Sequence, residues 1–213
     1  KKILVSAGPT QESIDPVRYI TNHSSGKMGY AIAKAAFCLG ADVTLVSGPT
    51  YLKKPYGINC INVVSADDMY QAIHEISKQQ DFIIMSAAVG DYASQNIADQ
   101  KIKKNDHKMT LELIKNKDIL FDLGQKKLPQ QILCGFAMET SDLIEHAQDK
   151  LKKKNCDMIV ANHLKTDGAG FQGDTNIVTF ITQDSMKDYG LLSKDELAYE
   201  ILMTLKKMEE SLC

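Results

Sequence analysis

Asn22, His23, Ser24, Ser25 and Gly26 stand immediately before a mostly apolar helical run. Free backbone N–H groups and the positive dipole end meet at such a helix start, with an amide and two hydroxyls beside them. A phosphate or carboxylate is the natural guest. The same residues also suit a plain N-cap followed by a glycine that lets the helix pack closely on a sheet, and the segment alone leaves both readings open. Met85-Ser86-Ala87-Ala88-Val89-Gly90-Asp91 closes an apolar run with small residues. A flat ring can lie against such backbone, and Asp91 is placed to coordinate a metal or accept from a sugar hydroxyl; the alternative is an ordinary surface-turn aspartate. Lys101-Ile102-Lys103-Lys104 follows on a polar segment. A lysine on a loop that closes over a bound anion neutralises charge developing in a transition state, whereas a bare charge run is merely solvated. Lys150 and Lys154 lie four apart, hence on one helix face, suited to a triphosphate or simply to the helix C-terminus.

Two well-known nucleotide motifs fail. A dinucleotide fingerprint needs G-x-G-x-x-G after the first strand and an acidic residue near the end of the second. Here the first strand ends in Ser6-Ala7-Gly8-Pro9-Thr10 and the second in Val46-Ser47-Gly48-Pro49. A P-loop needs Ser or Thr after its Gly-Lys, but Gly26-Lys27 is followed by Met28, and Thr21 stands at the first glycine.

The elements that position these residues alternate. Ile3–Ala7, Asp42–Ser47, Cys60–Val64, Phe82–Ser86, Gln131–Gly135 and Met158–Ala161 read as strands, several apolar on both faces, as in a covered parallel sheet. Helices are predicted at Gly26–Leu39, Ala66–Lys78, Asp118–Lys126 and Asp142–Lys154, with Ser65 and Ser141 at their starts and Ser193 with Glu196 as a capping box for a last helix reaching Met208. This rhythm predicts a Rossmann-like, three-layer, doubly wound α/β domain over residues 1–213 with a mainly parallel sheet. Alternating strands at Met109–Ile114 and Asn176–Thr182, with a turn near Asp188–Gly190, predict a small antiparallel extension, a common dimer contact. Tyr92–His107 reads as a mobile flap, and Leu164–Thr175, with Gly168, Gly170 and Gly173, as an exposed loop. Gly8 to Ser25 reads as one long polar connection that carries Asn22 to the helix start.

The whole chain sets bounds. Its 213 residues, 44% hydrophobic, suffice for a sizeable core in one domain. A net charge of -2 gives no global pull toward nucleic acid or an anionic membrane, so neither is an expected partner. Cys38, Cys60, Cys134, Cys156 and Cys213 form no C-x-x-C pair and read as reduced thiols of a cytoplasmic protein. No apolar run approaches the ~20 residues that span a bilayer. The chain begins at Lys1 and enters a strand almost at once, as expected of a domain within a longer chain.

VSAGPTQESIDPVRYITNHSSGKMGYAIA, SAAVGDY, KIKK, GFAMET and DMIVAN, in this order over nearly the whole chain, resemble the phosphopantothenoylcysteine synthetase family of coenzyme A biosynthesis. The resemblance implies a ligase of the bacterial type. CTP converts the carboxylate of 4'-phosphopantothenate to an acyl-cytidylate with release of pyrophosphate, and the amine of L-cysteine then displaces CMP. It implies that Asn22 is the catalytic asparagine, that Arg18 belongs to the same substrate loop, and that Lys101 is the flap lysine. Met85, Ser86, Ala87, Asp91, Lys101, Phe136, Lys150 and Lys154 match nucleotide-site positions, with Lys117, Asp118, Ile119 and Leu120 near them. Substrate contacts fall to Gly8, Asn22, Ser24, Ser25, Gly26 and Ala88. Mg²⁺ is implied, carried mainly by the nucleotide phosphates; no protein ligand is assigned, and Asp91 is the candidate. A homodimer and fusion behind a flavin-dependent decarboxylase are implied as well. Gly90 and Met138 stand where alanine is frequent in the family and Lys117 where proline often is; none of these removes a charged group. The choice of CTP over ATP rests on the resemblance alone. An NAD(P) oxidoreductase of the short-chain type is the main rival. Its Tyr-x-x-x-Lys spacing occurs only at Tyr30 and Lys34, too early in the chain. A non-catalytic nucleotide-binding module is the other, and the presence of both Asn22 and Lys101 argues against it.

Overall fold

The computed structural model describes residues 1–103, 108–139, 142–163 and 173–212. In chain order the first half comprises β1 (Lys2–Ala7), β2 (Gln11–Ser13), β3 (Tyr19–Thr21), α1 (Lys27–Cys38), β4 (Asp42–Ser47), β5 (Asn59–Asn62), α2 (Ala66–Ser77), β6 (Phe82–Met85) and β7 (Tyr92–Ser94). The second half comprises β8 (Leu113–Lys115), α3 (Ile119–Lys126), β9 (Ile132–Glu139), α4 (Leu143–Lys153), β10 (Met158–His163), β11 (Thr175–Thr182), β12 (Met186–Ser193) and α5 (Lys194–Leu212).

Eight strands form one sheet in the order β12-β11-β10-β9-β6-β1-β4-β5. The six from β10 to β5 pair in parallel, and β11 and β12 join antiparallel at one edge. Alternation sorts each strand's side chains: Ile3, Val5 and Ala7 of β1 join the core beneath α1 and α5, while Leu4 joins the opposite core with Met69, Leu123 and Leu151 from α2, α3 and α4. The predicted three-layer, mainly parallel architecture is therefore the observed one. From β1 the chain winds outward through β4 and β5, then crosses back to β6 on the other side of β1, so strand order reverses between β1 and β6. Ligands of doubly wound sheets bind at such a switch point, beyond the carboxyl ends of the strands.

Caps match the local sequence. Ser65 and Asp68 form a capping box at α2, and Ser193 and Glu196 exchange hydrogen bonds at the start of α5. Asp118 caps α3 by accepting from the Phe121 amide. At α4, Asp142 takes the N-cap position with φ 50° and no side-chain cap bond; Ser141 lies outside the described residues.

Several expectations are corrected. The antiparallel extension is the β11–β12 hairpin, which turns at 183–185, where the Thr182 amide donates to the Ser185 carbonyl at 2.9 Å. Asp188–Gly190 is no turn but lies within β12. Val178 pairs with Tyr189 and Asn176 with Leu192, so Gly190 and Leu191 oppose a single residue: the glycine marks a bulge. Of Met109–Ile114 only Leu113 and Ile114 are strand, and they pair with the start of the predicted flap in a separate two-stranded sheet, β7–β8, because these exposed residues have no core face to bury. The long first connection holds a β2–β3 hairpin. Lys104, His107, Leu164, Gly168, Gly170 and Cys213 lie outside the described residues.

Candidate functional site at the strand-order switch

The ends of β1 and β6 are stitched together at the switch point. The Ala88 amide donates to the Gly8 carbonyl at 2.9 Å, the Thr10 amide to the Ala88 carbonyl at 3.2 Å, and the Ala87 amide to Ser6 Oγ at 3.1 Å. The 88–91 segment is braced from both sides, with Gly90 donating to Thr10 Oγ1 at 2.9 Å and Asn116 Nδ2 donating to the Gly90 carbonyl at 2.8 Å. The β2–β3 hairpin then delivers Asn22, whose Nδ2 donates to the Ala88 carbonyl at 3.0 Å.

The same hairpin holds the chain at Ala98 and Ile102. Asp15 is buried at its tip, accepting from the Val17 and Arg18 amides at 2.8 Å each and from the Ile102 amide at 3.1 Å. The Arg18 guanidinium grips that carboxylate through Nε at 3.0 Å and Nη2 at 2.5 Å, and Nη2 also donates to the Ile102 carbonyl at 2.8 Å. This guanidinium, with the backbone amides adding to it and burial opposing, holds the Asp15 carboxyl far below the usual carboxylate range. Arg18 is thus a brace for the backbone beside Lys101. Lys101 itself is exposed and lines neither cavity described below.

Two cavities open at the switch. A cleft of about 260 Å³ is lined by Met85, Ala87, Asp91, Lys117, Asp118, Ile119, Leu120, Phe136, Lys150 and Lys154. These are all the expected nucleotide-site residues except Ser86 and Lys101. Ser86 faces the second cavity, of about 320 Å³, together with Ser24, Ser25, Gly26 and Ala88. Gly8 and Asn22 line neither; Gly8, at φ +74°, backs Gly26, where a Cβ would come within 3.3 Å of the Gly8 Cα. Ala87, Val89, Asp91, Phe136 and Lys150 belong to both cavities and form their common wall.

Cations dominate the cleft. Lys150 donates to the Phe136 carbonyl at 2.7 Å, Lys154 pairs with Asp118, and Lys117 pairs with Asp67 at 2.8 Å above the Tyr70 ring. Burial pulls the Asp118 carboxyl upward, but the Lys154 ammonium and the Phe121 amide outweigh it and leave its pKa lowered. Asp67 raises the pKa of Lys117. Among the described residues no group of three His, Cys, Asp or Glu could by itself hold a metal ion. Asp91 is the carboxylate common to both cavities, and it is exposed.

At the second cavity α1 begins at Gly26, φ +79°, without a side-chain cap bond. A Cβ on Gly29 would lie 2.6 Å from the Ala7 Cβ, so this glycine lets the helix N-terminus sit directly on the end of β1. The close packing of this helix start on the sheet, one of the two sequence readings, is therefore observed at Gly29, whereas the N-cap position falls to Gly26 and carries no side-chain bond. Asn162, Asn176 and Lys194 also line this cavity and escaped the sequence reading. Asn162 stands one residue before the end of β10, which pairs in parallel with β9, and that place was a usable signal. Lys194 stands one residue after a capping serine and is indistinguishable there from a solvated helix-start lysine. Tyr30 is spent structurally, its hydroxyl bonded to Ser47 Oγ at 3.1 Å, which removes the oxidoreductase rival's tyrosine from the site.

No helix among the described residues is long and apolar enough to cross a membrane. Comparison with known proteins matches residues 1–208 to the DNA/pantothenate metabolism flavoprotein C-terminal domain. The coenzyme A biosynthesis bifunctional protein CoaBC of Bacillus subtilis is 48% identical over 212 residues, 99% of this chain and 52% of that protein. The chain spans about half the length of the curated relatives it matches. A crystal structure of the C-terminal domain of a CoaBC protein superposes with TM-score 0.85 at 43% identity, covering 99% of this chain and 96% of that one. A mutant Cab2 in complex with phosphopantothenate-cysteine shares the fold, with TM-score 0.81 at 17% identity over 100% and 87% of the two chains. With the motifs, the switch-point site and nearly the full length in agreement, the chain belongs to the DNA/pantothenate metabolism flavoprotein C-terminal domain family.

Proposed function

We propose that the chain is a phosphopantothenate–cysteine ligase that uses CTP and serves coenzyme A biosynthesis. The observation that carries this reading is the common wall: a lysine-lined cleft and a cavity at a helix N-terminus meet at Ala87, Asp91, Phe136 and Lys150. A ligase that activates a carboxylate needs this arrangement, because two anions must be brought into contact before either bond changes.

The triphosphate lies in the cleft along Lys117, Lys150 and Lys154, and 4'-phosphopantothenate lies along α1 with its carboxylate at the common wall. A carboxylate oxygen attacks the α-phosphorus, the bond to the β-phosphate breaks, and pyrophosphate leaves with its electron pair. The L-cysteine amine then attacks the acyl carbon, CMP departs, and the amine loses a proton to give the amide. Asn22, held at the Ala88 carbonyl, offers an amide to the acyl-cytidylate without adding negative charge. Lys101, beside the Arg18–Asp15 brace, approaches as the flap closes and meets the charge of departing pyrophosphate. Mg²⁺ would arrive on the triphosphate, where Asp91 faces it, and would supply charge neutralisation.

The protein acts as a homodimer, and a partner subunit completes the substrate pocket; the β11–β12 extension is the contact surface. As in the bifunctional relatives, the natural chain carries a second domain ahead of this one, here a flavin-dependent decarboxylase. The test is pyrophosphate release from CTP or ATP with 4'-phosphopantothenate, with L-cysteine supplied or withheld, while mass spectrometry follows the acyl-cytidylate. Release that requires phosphopantothenate, with amide formed only on addition of cysteine, supports the reading; no release with either nucleotide refutes it.

A further inference from the structure

Asn22 takes its place from a hairpin too small to hold itself, since two short strands alone are at best marginal in water. In β2 and β3, Gln11 pairs with Thr21 and Glu12 with Ile20, and Asn22 follows directly. The hairpin is therefore fixed from outside. The Thr10 amide reaches the Ala88 carbonyl, the Gln11 amide donates to the Val64 carbonyl at 2.8 Å, and Thr21 Oγ1 donates to the Thr10 carbonyl at 2.7 Å. Glu12 adds a side-chain anchor. It is 5% exposed, and its Oε1 accepts from the Ala66 amide at 2.9 Å.

Ala66 opens α2, where the first amides have no partner inside the helix. The capping box engages the Ser65 and Asp68 amides and leaves the one at Ala66. A carboxylate suits that amide, because the helix start favours negative charge and a buried carboxylate is costly without a donor. The same side chain lies against the segment that receives Asn22: a Cβ on Gly90 would come 3.3 Å from Glu12 Cγ and 3.4 Å from Oε1. Gly90 stands between Ala88, whose carbonyl Asn22 reaches, and Asp91 of the common wall. One carboxylate thus belongs to the hairpin, bonds to α2 and packs on the 88–91 segment.

We propose that Glu12 is a positioning residue for Asn22: seated on the α2 N-terminus, its side chain fixes the hairpin against the 88–91 segment. The proposal rests on the ligase reading, from which Asn22 takes its task, and adds to it a residue that lines neither cavity.

The test compares the wild-type chain with Glu12→Gln, Glu12→Asp and Glu12→Ala, each shown to be folded by thermal unfolding. Glu12→Gln keeps the length and a carbonyl acceptor and should keep most of kcat. Glu12→Asp stops a methylene short of the Ala66 amide, and Glu12→Ala leaves that amide bare. Both should lower kcat about 10–10²-fold, the loss expected when a reacting group is misplaced by about 1 Å. KM for CTP should hold, since Lys150 belongs to α4 and Lys154 stands at its C-cap. Because Glu12 acts through Asn22, both variants should accumulate acyl-cytidylate in quenched reactions, with pyrophosphate release running ahead of amide formation. A mere loss of folded protein would lower the two together. Hydrogen exchange at the Thr10 and Gln11 amides, read without substrate, should rise in Glu12→Ala. Should that variant fail to fold, Glu12→Asp against Glu12→Gln carries the same comparison. Wild-type kcat or exchange in folded Glu12→Asp and Glu12→Ala, a loss in Glu12→Gln as deep as theirs, or equal slowing of both half-reactions would each overturn the proposal. Faster exchange in the variants beside a wild type that releases no pyrophosphate would instead sink the ligase reading and leave the tie between hairpin and α2 standing.

Discussion

Arg18 and Asp15 form a two-pronged ion pair at the tip of the β2–β3 hairpin, and the guanidinium of that pair also holds the Ile102 carbonyl, one residue from Lys101. The hairpin and the backbone at Ile102 are thereby tied together. Arg18→Ala should unclip residues 101–103, raise amide hydrogen exchange there, and lower kcat while nucleotide affinity in the cleft holds. Arg18→Lys should rescue little, since an ammonium cannot make the planar fork. Unchanged exchange at Ile102 in Arg18→Ala would count against the clip.

The pH dependence of the clip follows from its sign. Asp15 has a native pKa depressed below the unfolded value of about 3.9, so its stabilisation is complete above that value and is lost as pH falls toward the native one. The stability gap between wild type and Asp15→Asn, followed by urea unfolding, should stay constant from pH 8 to about 5 and shrink below about pH 4. A gap that widens on acidification would refute this assignment.

Asn22→Asp sets a carboxylate oxygen against the Ala88 carbonyl that Asn22 Nδ2 now reaches at 3.0 Å, and adds a charge beside the acyl-cytidylate. Turnover should fall about 10²–10³-fold, with the intermediate accumulating in quenched reactions. Full activity of Asn22→Asp would end its assignment.

Lys101→Gln should slow the earlier step, release of pyrophosphate, and leave the reaction of preformed acyl-cytidylate with cysteine nearly intact. Rapid-quench measurement of the two half-reactions separates the roles; unimpaired cytidylate formation would exclude Lys101 from the first.

Gly29 and Gly90 should respond differently to alanine. At Gly29 the new methyl meets the Ala7 Cβ at 2.6 Å and the Ser6 carbonyl at 2.8 Å, so α1 must lift from β1, at a cost of about 1–3 kcal/mol and a raised KM for the acyl substrate. At Gly90 its nearest neighbours are side-chain atoms of Glu12 and Thr10 at 3.3–3.4 Å, which can yield. Thermal unfolding of both variants checks the contrast, and equal losses would contradict it.

Much of this was legible along the chain. Strands apolar on both faces and helices apolar on one dictated the layered sheet, because burial imposes those periods wherever a parallel sheet is covered. The lysines of the cleft were legible for a similar reason: Lys150 and Lys154 share a helix face by spacing alone, and Asp118 sits at a helix start. Gly190 misled because a strand bulge and a turn draw on the same glycine freedom, and only the β11 register separates them.

By itself the sequence determined the alternation of elements, the failure of the common nucleotide fingerprints, and the family through motifs in fixed order. Tertiary structure alone decided that Asp15 reaches Ile102 across 87 residues, that one wall divides two cavities, and that Lys194 is a buried ammonium beside Asn162. The reason is physical: spacing governs only neighbours within a turn or a pleat, whereas these contacts arise from strand order and the antiparallel return of β11, which no local periodicity encodes.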